Sequence, residues 1–190
     1  MLYAIIGDLH SNEADTIAVL TQIKKIAPHA EIIGLGDLYE CHIGKKKAQK
    51  NKLVPLQKAV TLTPSFERLL TFPSVIGNQE ERIAHVTGDT RFLKLPQTLS
   101  IEHATIIHGH QFMWDEAWHP TFPTFTTPLV FFGHSHRAAI YHNGERIAMP
   151  ANALLDVANA HYIINVGAVV FHREWCLYDS KKKTIHFMRA

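Results

Sequence analysis

The chain has 190 residues, enough for one folded domain with a substantial core, and 46% hydrophobic against 19% charged residues places it with ordinary soluble globular proteins rather than disordered ones. A formal net charge of +2 carries no footprint of a nucleic-acid partner, and Cys41 and Cys176 stand too far apart for a CxxC metal or redox motif. No apolar run approaches the roughly 18 residues that span a bilayer, the start carries no basic leader, and a reduced, cytoplasmic setting is expected.

In chain order, residues 2–6 predict a buried strand ended by Gly7 and followed by Asp8-Leu9-His10. Residues two apart on an extended backbone share a face, so Asp8 and His10 can enter one pocket. Ser11 or Asn12 then caps a helix running to about Ala27, with Ile17, Ala18, Leu20, Ile23 and Ile26 as its apolar stripe and Pro28 as its stop. Residues 31–35 are the return strand of a βαβ unit and exit into Gly36-Asp37. Ligands collect at the carboxyl ends of strands in open α/β sheets, where Asp8, His10 and Asp37 all lie.

Residues 38–64 are the least regular part. Lys45, Lys46, Lys47, Lys50 and Lys52 open a helix continued by Leu53, Leu56 and Val60; the run is either a solvated face or an attraction for an anionic substrate. Tyr39, Cys41 and His42 are close enough in sequence to Asp37 to line a pocket. Residues 65–72 predict a short helix and 73–76 a strand, which exits into Gly77-Asn78-Gln79-Glu80. Asn78 offers either a turn or a neutral carbonyl oxygen for a cation. A helix over 80–86 has acidic residues in its first turn, as the dipole favours.

Strands at 99–102 and 104–107 follow, the second exiting into His108-Gly109-His110. Phe112, Met113, Trp114, Trp118, His119, Phe122 and Phe125 then crowd a proline-interrupted stretch. They either fill the core or form an aromatic wall on which a nucleobase can stack. Residues 129–132 read as a strand buried on both faces, and Gly133 lets His134 and His136 leave its end toward one pocket. Asn143-Gly144 signals a hairpin. Segments at 162–168, 174–178 and 184–188 complete the chain with a second, largely antiparallel portion of sheet. The pattern predicts two packed sheets with helices outside, in a single domain over 1–190. Fourteen histidines exceed what packing needs, and neutral imidazole is the commonest metal ligand.

The succession Asp8-x-His10, Gly36-Asp37, Gly77-Asn78, His108-Gly109-His110 and Gly133-His134-x-His136 resembles the calcineurin-like metallophosphoesterase superfamily over nearly the whole chain. The short length and Asn165-Val166-Gly167 resemble its compact bacterial and archaeal phosphodiesterase branch. The resemblance implies a four-layer α/β sandwich, two mixed sheets packed face to face and flanked by helices, with two divalent metal ions. It implies Asp8, His10, Asp37 and His136 around the first ion and Asp37, Asn78, His108 and His134 around the second, so that Asp37 bridges. Manganese is expected, with iron, zinc and nickel as alternatives. Mixed imidazole, carboxylate and amide donors suit such metals better than calcium. Two metals about 3.5–4 Å apart can share a carboxylate and activate a hydroxide as the nucleophile.

The implied function is a metal-dependent phosphoesterase, foremost a phosphodiesterase, acting on a small phosphate ester or nucleotide. The alternative is a metal- or nucleotide-binding or scaffold protein of the same fold without turnover. Asp37, Asn78 and His110 are the candidate catalytic residues, and Asn12, Gln79, His42 and Arg137 the candidate substrate-binding ones. No membrane partner is expected, no extended basic groove points to nucleic acid, and the oligomeric state is open. Two departures from the family pattern matter. Gln79 stands where many members have a histidine, and an amide cannot deliver a proton near neutral pH. Leu38-Tyr39-Glu40-Cys41 stands where some members place a phosphate-binding Asp-Arg-Gly. Good leaving groups such as aryl diesters are therefore expected to react faster than alkyl monoesters.

Overall fold

The computed structural model describes residues 1–50 and 52–190. Its strands, in chain order, are β1 (Leu2–Ile6), β2 (Glu31–Gly34), β3 (Thr98–Ile101), β4 (Ala104–Ile107), β5 (Met113–Trp114), β6 (Pro120–Thr121), β7 (Leu129–Phe132), β8 (Ala139–His142), β9 (Glu145–Ile147), β10 (Leu154–Asp156), β11 (Tyr162–Asn165), β12 (Glu174–Asp179) and β13 (Thr184–Arg189). Its α-helices are α1 (Glu13–Ile26), α2 (Lys45–Ala48), α3 (Leu56–Ala59), α4 (Pro64–Glu67) and α5 (Asn78–Thr87).

One sheet has the order β10-β13-β12-β1-β2 and the other β3-β4-β7-β11-β8-β9. In the first, β1 runs parallel to β2 and antiparallel to β12; in the second, β4, β7 and β11 run parallel. The late antiparallel strands do not form a portion of their own. β12 and β13 return beside β1, while β8 and β9 extend the other sheet.

The apolar runs of β1 and β7 are explained by two-sided burial. Tyr3, Ile5, Ile33 and Leu35 meet Ile106, Phe131, Ile140 and Ile164 between the sheets. The alternate residues Ala4 and Ile6 face Val19 and Ile23 of α1. On β7, Val130 and Phe132 point the other way, into Phe112, Phe122, Phe125 and Tyr141. The fold is thus a four-layer α/β sandwich in which the aromatic segment 112–125, in place of helices, covers the outer face of the second sheet. Each of the larger aliphatic and aromatic side chains among these contributes about 1.5–3 kcal/mol by its burial.

Local chemistry sets the boundaries. The Asn12 side chain caps α1 by accepting from Asp15 N at 3.0 Å. The stripe of α1 is rotated from the expected one: Val19 and Ile23 are buried, whereas Ile17 and Ile26 are 45% and 46% exposed. Asp15 explains this, because it lies on the buried face and ties the helix to Phe171 N and Arg173. The lysine-rich helix is two separate single turns, α2 and α3; Pro55 lies just before α3, and proline disfavours helix in the residue it follows. The Asn51 position within that expected helix lies outside the described residues. The helix expected over 65–72 is only the turn α4. Residues 73–76 make a single bridge, Gly34 to Ser74, and the Ser74 hydroxyl takes Gly36 N at 3.2 Å. The hairpin at Asn143-Gly144 has φ of 52° and 82°, the left-handed pair that a two-residue turn needs. Among the described residues no helix is long and apolar enough to cross a membrane.

Candidate metal centre

Because β1, β2, β4 and β7 end on the same side, their exits meet. The first two exits are zipped together by backbone bonds: Asp8 N, Leu9 N and His10 N donate to Gly36 O, Asp37 O and Asp37 O at 3.1, 2.9 and 3.0 Å. Gly133 N donates to His108 O at 3.0 Å, and Asn165 Nδ2 holds Gly133 O at 2.8 Å. Buried Glu80 gathers three backbone N–H groups, from Asp37, Tyr39 and Gly77, at 2.8–3.0 Å. Asp8, His10, Ser11, Asp37, His134 and His136 all take φ between 49° and 68°. Non-glycine residues pay about 1–3 kcal/mol for that region, and such strain clusters where side chains are aimed for function. Gly77 and Gly133 are required for a different reason: a Cβ at either would overlap the carboxylate of Asp37 or Asp8.

Two groups of donor atoms result, Asp8 with His10 and His136, and Asp37 with His108 and His134, the atoms of each group lying within 4.8 Å of one another. Each carboxylate is used asymmetrically. Asp8 Oδ2 accepts from His134 N at 3.0 Å, leaving buried Oδ1 without a hydrogen-bond partner among the described residues, 3.4 Å from His136 Nε2 and 3.8 Å from His10 Nε2. Asp37 Oδ1 accepts from Gln79 N at 2.8 Å, while Oδ2 faces His10 Nε2 of one group at 3.7 Å and His108 Nε2 of the other at 3.4 Å. The imidazoles are oriented from behind. His10 Nδ1 meets Glu40 and His108 Nδ1 donates to Leu35 O at 2.7 Å, so both rings turn Nε2 inward.

The amide of Asn78 turns one terminal atom to His134 Nδ1 at 2.7 Å and to His108 Nε2 at 3.2 Å. The NH2 of the amide suits the lone pair of neutral His134 Nδ1, whereas its oxygen, turned the same way, accepts from protonated His108 Nε2 and suits a cation in that proton's place. The orphaned Asp8 Oδ1, the inward nitrogens and this amide fit divalent cations with mixed N and O donors.

The charges agree. Burial pushes Asp8 and Asp37 up, but the neighbouring imidazoles more than offset it and hold both below the usual carboxylate range. Burial lowers His10 and His108, yet Asp8 with Glu40, and Asp37, carry them to about 10 and about 9. For His134, burial and then the charge of His108 bring it down to about 4. Burial, with Asp37 beside it, pushes Glu80 up to about 7 against its three N–H donors.

The groups floor a cleft of about 680 Å³ lined also by Asn12, Glu40, Lys45, Gln79, Arg82, Trp118, Val170 and Phe171. All seven residues expected as ligands are brought together, and Asn12 and Gln79 reach the wall. His110 packs behind, its ring 5.2 Å from His108 and its Nε2 3.2 Å from Glu81, off the cleft lining. His42 is not in the cleft: Gln79 Oε1 pins Cys41 N at 3.1 Å, and the chain then turns His42 outward to Thr61 Oγ1 at 3.0 Å. Arg137 is likewise exposed and off the lining, on the way into β8. Sequence reasoning missed Arg82, Glu40 and Phe171 as parts of this site. Only Arg82 carried a signal, four residues after Asn78 and so on the same face of α5.

The fold and these donor groups define the class as an α/β sandwich with a candidate metal centre at its strand ends. Residues 1–176 match the calcineurin-like phosphoesterase superfamily domain, and the chain belongs to that metal-dependent family. Among solved structures, a metallophosphoesterase from Sphaerobacter thermophilus is similar with a TM-score of 0.67 at 20% identity, over 100% of this chain and 88% of that one. A hypothetical protein from Pyrococcus horikoshii OT3 is similar with a TM-score of 0.52 at 10% identity, over 100% and 87%. Comparison with curated proteins found no match.

Proposed function

We propose that the chain is a hydrolase of small phosphate esters, foremost diesters, using two divalent ions held by Asp8, His10, Asp37 and His136 and by Asp37, Asn78, His108 and His134. The observation that carries this is the position of Asp37 Oδ2, which faces both donor groups at once. Bound divalent ions at such a site supply Lewis acidity toward the phosphoryl group and a water acidic enough to attack near neutral pH.

The chain's own residues do the rest. Asp8 and Asp37 supply two full negative charges, too few to neutralise two divalent ions, so the floor stays cationic and receptive to phosphate. Arg82 and Lys45 add positive charge to the walls. Their neighbours Glu40 and Glu81 are engaged by His10 and His110. Arg82 thereby takes the place of the arginine missing after Asp37, its planar fork suited to phosphoryl oxygens. Gln79, committed to Cys41 N, positions the loop and passes no proton. His110 is confined to holding Glu81, 3.2 Å from its Nε2.

The test is steady-state kinetics with manganese-loaded protein on aryl diesters, aryl monoesters and alkyl monoesters. Turnover of aryl diesters ahead of alkyl monoesters is expected. In Arg82→Ala, KM should rise about tenfold with inhibition by inorganic phosphate weakened in parallel. Absence of any turnover in fully metal-loaded protein would leave a binding or scaffold protein instead.

A further inference from the structure

We infer that the cleft receives the organic group of its ester as a planar aromatic ring, seated on Trp118 and Phe171; this rests on the phosphoesterase function proposed here. Both side chains line the cleft together with the donor groups, Lys45 and Arg82. Both leave much apolar surface in water, Trp118 being 44% and Phe171 79% exposed. Both also sit at φ of 62° and 64°, a region that bulky residues rarely adopt.

Each is held there by built structure. Phe171 N donates to Asp15 Oδ2 at 2.9 Å, and Arg173 Nε donates to Asp15 Oδ1 at 2.7 Å. Asp15 is itself buried on α1, and Val170 N donates to Asp8 O at 3.0 Å, so Phe171 stands beside the first donor group. Trp118 N donates to Asp115 O at 3.1 Å, and Asp115 Oδ1 takes Ala117 N and His119 N at 2.9 and 2.7 Å. The Trp118 ring lies 5.6 Å from Trp114 and 5.7 Å from His134, so it stands beside the second group. Trp114 in turn donates Nε1–H to Gly109 O at 2.9 Å, which ties the aromatic pair to the loop between His108 and His110.

The cleft therefore pairs a cationic, imidazole-rich floor with two exposed aromatic surfaces, and its volume is that of a small-molecule site. A phosphate joined to a flat ring satisfies both parts. The ring is a nucleobase or a simple aryl group, since every such π-face stacks on tryptophan or phenylalanine. Hydrolysis rates alone do not test this, because aryl esters also react faster through their better leaving group. Binding of inert ligands separates the two effects.

The experiment measures, by calorimetry in every variant and by tryptophan fluorescence in the unsubstituted chain, the binding to the zinc-loaded full chain of four hydrolytically inert phosphonates: the analogues of adenosine 5′-monophosphate and of ribose 5-phosphate, phenylphosphonate, and methylphosphonate. A ring-bearing ligand is expected to quench Trp118 and to bind about tenfold or more tightly than its ringless counterpart. Preference for the adenosine analogue assigns a nucleobase, and preference confined to phenylphosphonate assigns a simple aryl group. Trp118→Ala and Phe171→Ala should each reduce the preference and Trp118→Phe retain it, with unchanged affinity for inorganic phosphate showing that the folded site persists. Equal affinities of ringed and ringless ligands, or a preference surviving in Trp118→Ala/Phe171→Ala, would overturn the inference. Hydrolysis of aryl diesters without ring preference would overturn the subsite alone; ring preference without hydrolysis of any ester would overturn the function and leave the subsite.

Discussion

His10 Nε2 and His136 Nε2 approach to 3.1 Å although 126 positions separate them in the chain. Two neutral imidazoles that aim lone pairs at each other repel, and Asp8 Oδ1 beside them adds negative charge. A proton or a cation resolves the contact. Asp8 and Glu40 overcome burial to carry His10 up to about 10, so in the metal-free chain a proton occupies the place that a metal ion takes.

Metal binding should therefore expel protons. His10 and His108 stand at about 10 and about 9 in the fold, above the ordinary 6.5. Their contribution to stability is fully present below pH 6.5 and lost as pH rises through 9 to 10, so the metal-free protein should melt at lower temperature at pH 10 than at pH 7. Loading zinc near pH 7 should release about two protons or more per chain, read by calorimetry in buffers of different ionisation enthalpy. Affinity independent of pH between 6 and 9 would contradict these assignments.

Glu40 holds the outer nitrogen of His10 and should set its orientation. Glu40→Gln is expected to weaken metal binding about 10- to 100-fold in chelator competition, with little effect on the fold because Glu40 is partly exposed. Affinity equal to that of the unsubstituted chain would assign Glu40 to the surface.

Gly133→Ala should damage the centre without replacing a ligand. The new Cβ overlaps Asp8 Oδ2, so the carboxylate must shift. Overpacking of this kind costs about 1–3 kcal/mol, visible as a lower unfolding midpoint. The metal content should fall toward one ion per chain, and retention of the original content would show that Asp8 is dispensable.

Gln79→His tests the missing proton donor. The variant should raise rates on alkyl leaving groups relative to aryl ones, measured as the ratio of kcat/KM values. An unchanged ratio would remove position 79 from the account of selectivity.

The candidate donor set was legible because strand ends and the turn residues around them are local signals, and seven residues read from five exits do converge. Asp8, His10, His134 and His136 nevertheless reach the site from left-handed turns rather than from the extended backbone that their two-residue spacing assumed. The rest was not local. The phase of α1 is set by Asp15 reaching Arg173, 158 positions away, so apolar periodicity alone misplaced Ile17 and Ile26. Glu40 looked like a loop residue until the His10 loop was folded against it. His42 looked close to Asp37 because sequence distance says nothing about the turn that Gln79 imposes at Cys41. Phe171 reached the cleft only through the return of β12 beside β1, a pairing invisible in either segment.

The most direct test of the shared carboxylate is anomalous diffraction from crystals of the zinc-loaded protein and of Asp37→Ala. Two peaks flanking Asp37 Oδ2, both diminished in the variant, are predicted. A single peak, or two that persist at full occupancy without the Asp37 side chain, would contradict it.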